Sequence, residues 1–186
     1  MIVINFLFMI KRRLSGWLIF LFSCILLLAQ SKSADAQTIP PFKMQLTNGK
    51  IFTASDLSKG KPTLIIYFAP DCEHCQALIH GLLQRIGDFK KAQIILVSFE
   101  PLNMVIKFEA DYHLSRYANI KCGTEIPTFY FKNLFNLSKT PFTAFYNKKG
   151  KLVISYQNET PLGDLVNQLK NLHEKSKIDM CRNISL

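Results

Sequence analysis

Thr63-Leu64-Ile65-Ile66-Tyr67-Phe68 runs straight into Ala69-Pro70-Asp71-Cys72-Glu73-His74-Cys75, an apolar run followed by two cysteines with two residues between them. The first six residues leave no polar face, which predicts a central strand buried on both sides. Beyond the turn, Cys75, Ile79, Leu82, Ile86 and Phe89 recur at steps of three and four, so a helix reaching about Phe89 is predicted with one face on the sheet. Asp71 is a favoured N-cap type directly before Cys72. That places Cys72 in the first helical turn, where unpaired N–H groups and the helix dipole favour an anion, here a thiolate. Cys75 follows one turn on, close enough to close a small disulfide ring.

The pattern suits thiol–disulfide exchange. The Cys72 thiolate attacks a disulfide and Cys75 resolves the mixed disulfide; in reverse, the pair oxidises thiols. Two other uses of the spacing compete with it. A zinc site needs a second pair of ligands, and Cys122, Cys181 and the scattered histidines do not supply one, so neither metal nor cofactor is expected. A purely structural disulfide over four residues closes too short a loop to constrain the unfolded chain much.

Outward from this centre, the 186 residues suit one domain. Lys11-Arg12-Arg13, the apolar run Leu14 to Ala29 and Ala34-x-Ala36 together predict a signal peptide over residues 1–36, with Met9 as an alternative start. An uncleaved membrane anchor is the other reading of the same run, which is of marginal length for a span. Cys24 is read as a leader residue, since Ile25 to Leu28 continue the apolar run past it. A domain over 37–175 and a tail over 176–186 complete the division. The formal charge of +10 falls to +7 once the four basic residues and one acidic residue of 1–36 are removed, a general basic surface rather than a nucleic-acid signature. Export implies a disulfide-permitting compartment. Cys122 and Cys181 then either join and pin the tail or remain free thiols, and sequence alone does not fix which.

The flanks read as alternating strands and helices. Phe42 to Phe52, with Asn48-Gly49 at its centre, is a hairpin signal. Gln93 to Ser98 is a second buried strand, and the helix before it makes a βαβ unit with a parallel strand pair. Pro101 to about Tyr117 reads as a helix. Residues 118–137 give no clear period, and Phe129, Tyr130, Phe131 and Phe135 are read there as core. Phe142 to Tyr146, a Lys148-Lys149-Gly150 turn and Leu152 to Tyr156 form another hairpin. Thr160 as N-cap and Pro161 at the first helical position open a last helix with Leu162, Leu165, Val166, Leu169 and Leu172 on one stripe.

This order of elements resembles the thioredoxin fold, an α/β architecture with a central mixed β-sheet flanked by helices, here with an added N-terminal β-hairpin. Asn48-Gly49-Lys50, the run Asp56-Leu57 to Gly60-Lys61-Pro62, the leader, and Tyr67 to Gln76 resemble more narrowly the secreted TlpA/ResA-like thioredoxins, in a Bacteroidetes-type version, over roughly Pro40 to Leu172. The resemblance implies an exported oxidoreductase, periplasmic or tethered to the membrane on that side. It implies further that the protein reduces disulfides of cysteine-containing exported proteins and is recharged by a membrane electron donor. It also implies that Pro141 is the family's cis-proline opposite the cysteines, with Thr140 offering its backbone to an extended substrate. Pro127 is the rival position, but the strand, turn, strand and helix that should follow the cis-proline follow Pro141.

The chain departs from that family in three places. Asp71 stands where a tryptophan is common, Ile66 where thioredoxin buries an acid, and Leu78 where some secreted relatives carry a glutamate. Tuning of the pair then falls to His74, Glu73 and Asp71: protonated His74 favours a neighbouring thiolate, whereas the two carboxylates raise its pKa. The alternatives are a disulfide oxidase or isomerase, a thiol peroxidase, which needs a threonine where Ala69 stands, and a copper carrier on Cys72, His74 and Cys75.

Overall fold

The structure, a computed structural model, describes residues 38–184. The leader expected over 1–36, with Cys24 and Ala34-x-Ala36, lies outside the described residues, as does the side chain of Cys181. Seven strands, β1 (Lys43–Leu46), β2 (Ile51–Thr53), β3 (Thr63–Phe68), β4 (Gln93–Ser98), β5 (Ile120–Glu125), β6 (Phe142–Tyr146) and β7 (Leu152–Gln157), form one sheet in the order β2-β1-β5-β4-β3-β6-β7. Among the described residues four α-helices accompany them: α1 (Glu73–Gln84), α2 (Leu102–Asp111), α3 (Tyr130–Leu134) and α4 (Leu162–Ile184). β3, β4 and β5 are mutually parallel, while β1 on β5 and β6 on β3 run antiparallel, so the sheet is mixed.

β3 occupies the inner position its composition demands, and all six of its residues are buried. Leu64, Ile66 and Phe68 face a layer with Cys75, Ile79, Val105 and Leu165 from α1, α2 and α4. Ile65 and Tyr67 face the opposite layer with Phe42, Phe131 and Phe142. Each such side chain contributes about 1.5–3 kcal/mol on full burial, which fixes the end of β3, and with it the cysteine pair, against the sheet.

α1 and α2 are shorter than their apolar periods suggested. α1 ends at Gln84 and the chain continues to Phe89 as a 3-10 turn, the break falling just before Gly87, a poor helix former. α2 stops at Asp111 because His113 adopts a left-handed backbone (φ 52°). α4 runs to Ile184, through the segment expected as a tail. The helix starts at Leu162, one residue later than expected, and the Thr160 hydroxyl pairs with that of Thr143 on β6 at 2.7 Å. Among the described residues, no helix is long and apolar enough to cross a membrane.

The poorly patterned segment 118–137 contains β5 and α3. Ile120 and Cys122 point into the core, and Cys122 is a free thiol, 3% exposed, whose burial pushes its pKa up. Of the aromatics expected as core, Phe131 is buried and Tyr130 and Phe135 pack against it, but Phe129 is 42% exposed. β5 accepts β1 only because residue 123 is glycine: a Cβ there would collide with the Gln45 carbonyl oxygen and Met44 Cε. Gly123→Ala should therefore cost about 1–3 kcal/mol, read as a lowered urea midpoint with the slope unchanged. An unshifted midpoint would remove that close approach as a constraint on the leading hairpin.

Candidate active site

The turn from β3 into α1 is tied at three points. Cys72 N–H donates to the Ala69 carbonyl at 3.2 Å, Gln76 N–H to the Cys72 carbonyl at 2.9 Å, and the Gln76 side-chain amide to the Pro70 carbonyl at 2.8 Å. The cap position belongs to Cys72 rather than to Asp71. Cys72 has an extended backbone (φ −83°, ψ 114°), and its own Sγ accepts the Cys75 N–H at 3.3 Å. The physical consequence is more direct than first-turn placement: the unpaired N–H groups of the helix start point at the sulfur itself.

The two cysteines lie in contrasting surroundings. Their Sγ atoms are 2.6 Å apart, both as free thiols. Cys72 is partly exposed, whereas Cys75 is fully buried against the layer that includes Ile66 and Ile79. Burial pushes the Cys72 thiol up, but hydrogen bonds from the side chains of Cys75 and Thr140 and from the backbone of Cys75 and His74 outweigh it, leaving Cys72 below the ordinary cysteine value. Burial raises Cys75 to about 12, and its hydrogen bond to Cys72 adds to the rise. Ile66, the apolar residue under the pair, contributes to that desolvation and supplies no carboxylate.

Opposite the cysteines lies the start of β6. Cys72 Sγ is 3.6 Å from the Thr140 carbonyl oxygen, toward which its thiol donates. The Thr140–Pro141 and Ile126–Pro127 peptide bonds are both cis; location separates them, since only the former adjoins the sulfur. Pro141 lines a cleft of about 420 Å³ with His74, Leu78, Asn158 and Pro161. Thr140 lines a second, of about 180 Å³, with Tyr67, Phe99, Lys132 and Lys139. Asp71, Glu73 and His74 are exposed, and none of their side chains makes a hydrogen bond to either sulfur. Their influence on the pair is therefore limited to their charge and, for His74, its backbone N–H. Among the described residues no cluster of three or more His, Cys, Asp or Glu is placed to hold a metal ion.

Two supports of this site escaped the sequence reading. Gln76 clamps the turn, and nothing in its position announced the reach back to Pro70. Glu125, 2% exposed at the end of β5, accepts hydrogen bonds from the Tyr67 hydroxyl (2.7 Å) and from the backbone N–H groups of Phe129 (2.7 Å) and Phe131 (2.9 Å). Burial raises its carboxyl pKa, and the Phe131 N–H and Tyr67 hydroxyl act the other way. Its bonds tie the β5–α3 turn, including Phe129 in its left-handed conformation (φ 65°), to β3. A charge inside a run that gave no clear period carried no periodic signal.

A comparison with protein families matches the AhpC/TSA family over residues 36–168. No curated protein matches the chain significantly. Among solved structures, the C-terminal domain of a proposed thiol–disulfide oxidoreductase from Bacteroides thetaiotaomicron superposes with a TM-score of 0.63 at 18% identity, covering 78% of this chain and 99% of that one. A proposed thioredoxin from Neisseria meningitidis gives 0.60 at 23% identity, covering 76% and 93%. A secreted disulfide oxidoreductase of Mycobacterium tuberculosis gives 0.58 at 18%, covering 70% and 96%. At these identities the likeness establishes the fold, thioredoxin-like and mixed α/β, as the element order led us to expect. The family match spans most of the chain and includes the strand, the cysteine turn and the β6–β7 hairpin: the chain belongs to the AhpC/TSA family.

Proposed function

We propose that the protein is an exported thiol–disulfide oxidoreductase of the TlpA/ResA-like type that reduces disulfides in other exported proteins through Cys72 and Cys75. One observation carries the reading: two thiols 2.6 Å apart, one partly exposed with a lowered pKa, the other buried and raised to about 12. The Cys72 thiolate attacks one sulfur of the substrate disulfide, and the other sulfur leaves as a thiolate that takes a proton from solvent. Cys75 then loses its proton and attacks Cys72 Sγ, which releases the second substrate thiol. Two electrons and two protons have passed to the substrate, and Cys72–Cys75 is left as a disulfide for an external dithiol donor, in the membrane, to reduce. Thr140 and Pro141 hold the extended substrate chain over Cys72. Residues 1–36 serve as the signal peptide, or as a tether if retained, with the working domain over 37–175; the match to secreted thioredoxin-like structures supports that placement.

The exposed carboxylates of Asp71 and Glu73 oppose a thiolate at Cys72 and a protonated His74 favours it, so the reduction potential decides the direction of electron flow. Equilibration of the protein in dithiol buffers, with Cys72 and Cys75 counted by alkylation and peptide mass, should give a reduction potential near about −270 mV. A value between about −120 and −180 mV would instead identify an oxidase or isomerase. The peroxidase reading finds no support at Ala69, which offers no hydroxyl three residues before Cys72.

A further inference from the structure

The cleft of about 180 Å³ beside Cys72 differs in character from the larger one on the α1 side. Its wall is aromatic. Tyr67 packs on Phe99 with ring centroids 5.5 Å apart, and Phe99 on the exposed Phe129 at 5.6 Å. Its rim is cationic: Lys132, with Nζ 5.2 Å from the Phe129 ring, and Lys139, one residue before Thr140. Both lysines are exposed, and neither has a carboxylate within 4 Å among the described residues. Asp71 and Glu73, the chain neighbours of Cys72, are exposed carboxylates. Thr140 belongs both to the lysine-rimmed cleft and to the contact with Cys72.

We propose that this cleft selects the substrate, by seating an acidic side chain carried within two residues of the substrate's reactive cysteine. The proposal rests on the reductase reading above. An extended chain advances about 3.3 Å per residue and sends successive side chains to opposite sides. A substrate cysteine over Cys72, held along Thr140, thus presents a near neighbour to the cleft that Thr140 lines. The carboxylate of that neighbour meets Lys132 and Lys139, and its methylene stem lies on Phe99. A lysine in the same place meets two like charges.

The test uses short peptides with one disulfide, identical except for Glu, Ala or Lys within two residues of the attacked cysteine, on either side of it. Reduction is followed at low salt with the protein and with its Lys132→Glu, Lys139→Glu double variant, each enzyme calibrated on its own rate with the Ala peptide. On one flank the Glu peptide should exceed the Lys peptide in kcat/KM by roughly three- to tenfold, mostly through KM, as expected of partly exposed ion pairs. The double variant should invert that ratio, and about 0.5 M salt should collapse it. A Glu-to-Lys ratio that the double variant leaves unchanged overturns the proposal while the reductase reading stands. Failure to reduce any peptide, Ala included, overturns the reductase reading and the selectivity with it.

Discussion

Cys72→Ser is expected to lower protein-disulfide reduction to the rate of spontaneous exchange while leaving the fold intact. A free cysteine of pKa about 8.5 is only about 3% thiolate at pH 7. The structure improves on that by directing the Cys75 and His74 N–H groups and the Cys75 thiol at the Cys72 sulfur, so its pKa falls and more of it is anionic at neutral pH. A serine hydroxyl in the same field stays protonated and is a poor nucleophile toward sulfur. The pH profile of the unsubstituted protein carries the same information. Alkylation of Cys72 by iodoacetamide should rise with pH and level off at lower pH than for a free cysteine, since its reactive form appears above a lowered pKa. Cys75, raised to about 12, should add nothing below that range. The Ser variant should lack this step, with melting unchanged because the position is partly exposed. Substantial reduction by the variant would mean that another group is the nucleophile.

The division of labour between the sulfurs follows from where β3 ends. Its last residues leave the sheet at Phe68 and Ala69, and the chain must turn before α1 can pack back on the sheet face. Residue 72 is thereby the cap, at the rim of the sheet, and residue 75 falls one turn on, against Ile66 and Ile79. Position alone makes one thiol accessible and the other dry. The Thr140 carbonyl completes the site from β6, which reaches this place because it pairs with β3 in the register Tyr67↔Phe142.

Much of this was legible in the chain because the informative residues are local and strongly patterned. The apolar run 63–68, the spacing of the cysteines and Asn48-Gly49 each constrain their own neighbourhood, and the structure places a buried inner strand, a helix start and a hairpin there. What the sequence hid are features decided by distant partners. The cap passed from Asp71 to Cys72 because an extended residue 72 lets its sulfur take the Cys75 N–H, a choice no propensity expresses. β5 was obscured because Gly123 is dictated by the Gln45 backbone and Glu125 by a turn six residues wide. Phe129 reads as core by composition, yet Lys132 and Phe99 hold it at the surface.

Cys75→Ala should convert the protein from a turnover catalyst into a covalent trap. With Cys72 intact, attack on a substrate disulfide proceeds and the mixed disulfide forms; without a thiol 2.6 Å away, only a thiol from solution can release it. Holding two reacting groups together is worth effective concentrations far above those of solution thiols, so turnover with millimolar thiol should fall by at least about 10³-fold. Alanine is the better replacement than serine because the site is fully buried and would leave a hydroxyl without solvent. The small cavity costs on the order of 1 kcal/mol, which a domain of this size tolerates. The measurement is non-reducing electrophoresis and mass spectrometry of the variant incubated with a disulfide-bearing peptide. One adduct per chain, on Cys72 and released by excess dithiol, is the expected result. Free release of peptide at the unsubstituted rate would show that Cys75 does not resolve the intermediate, and Cys122, a buried residue of β5, could not take its place.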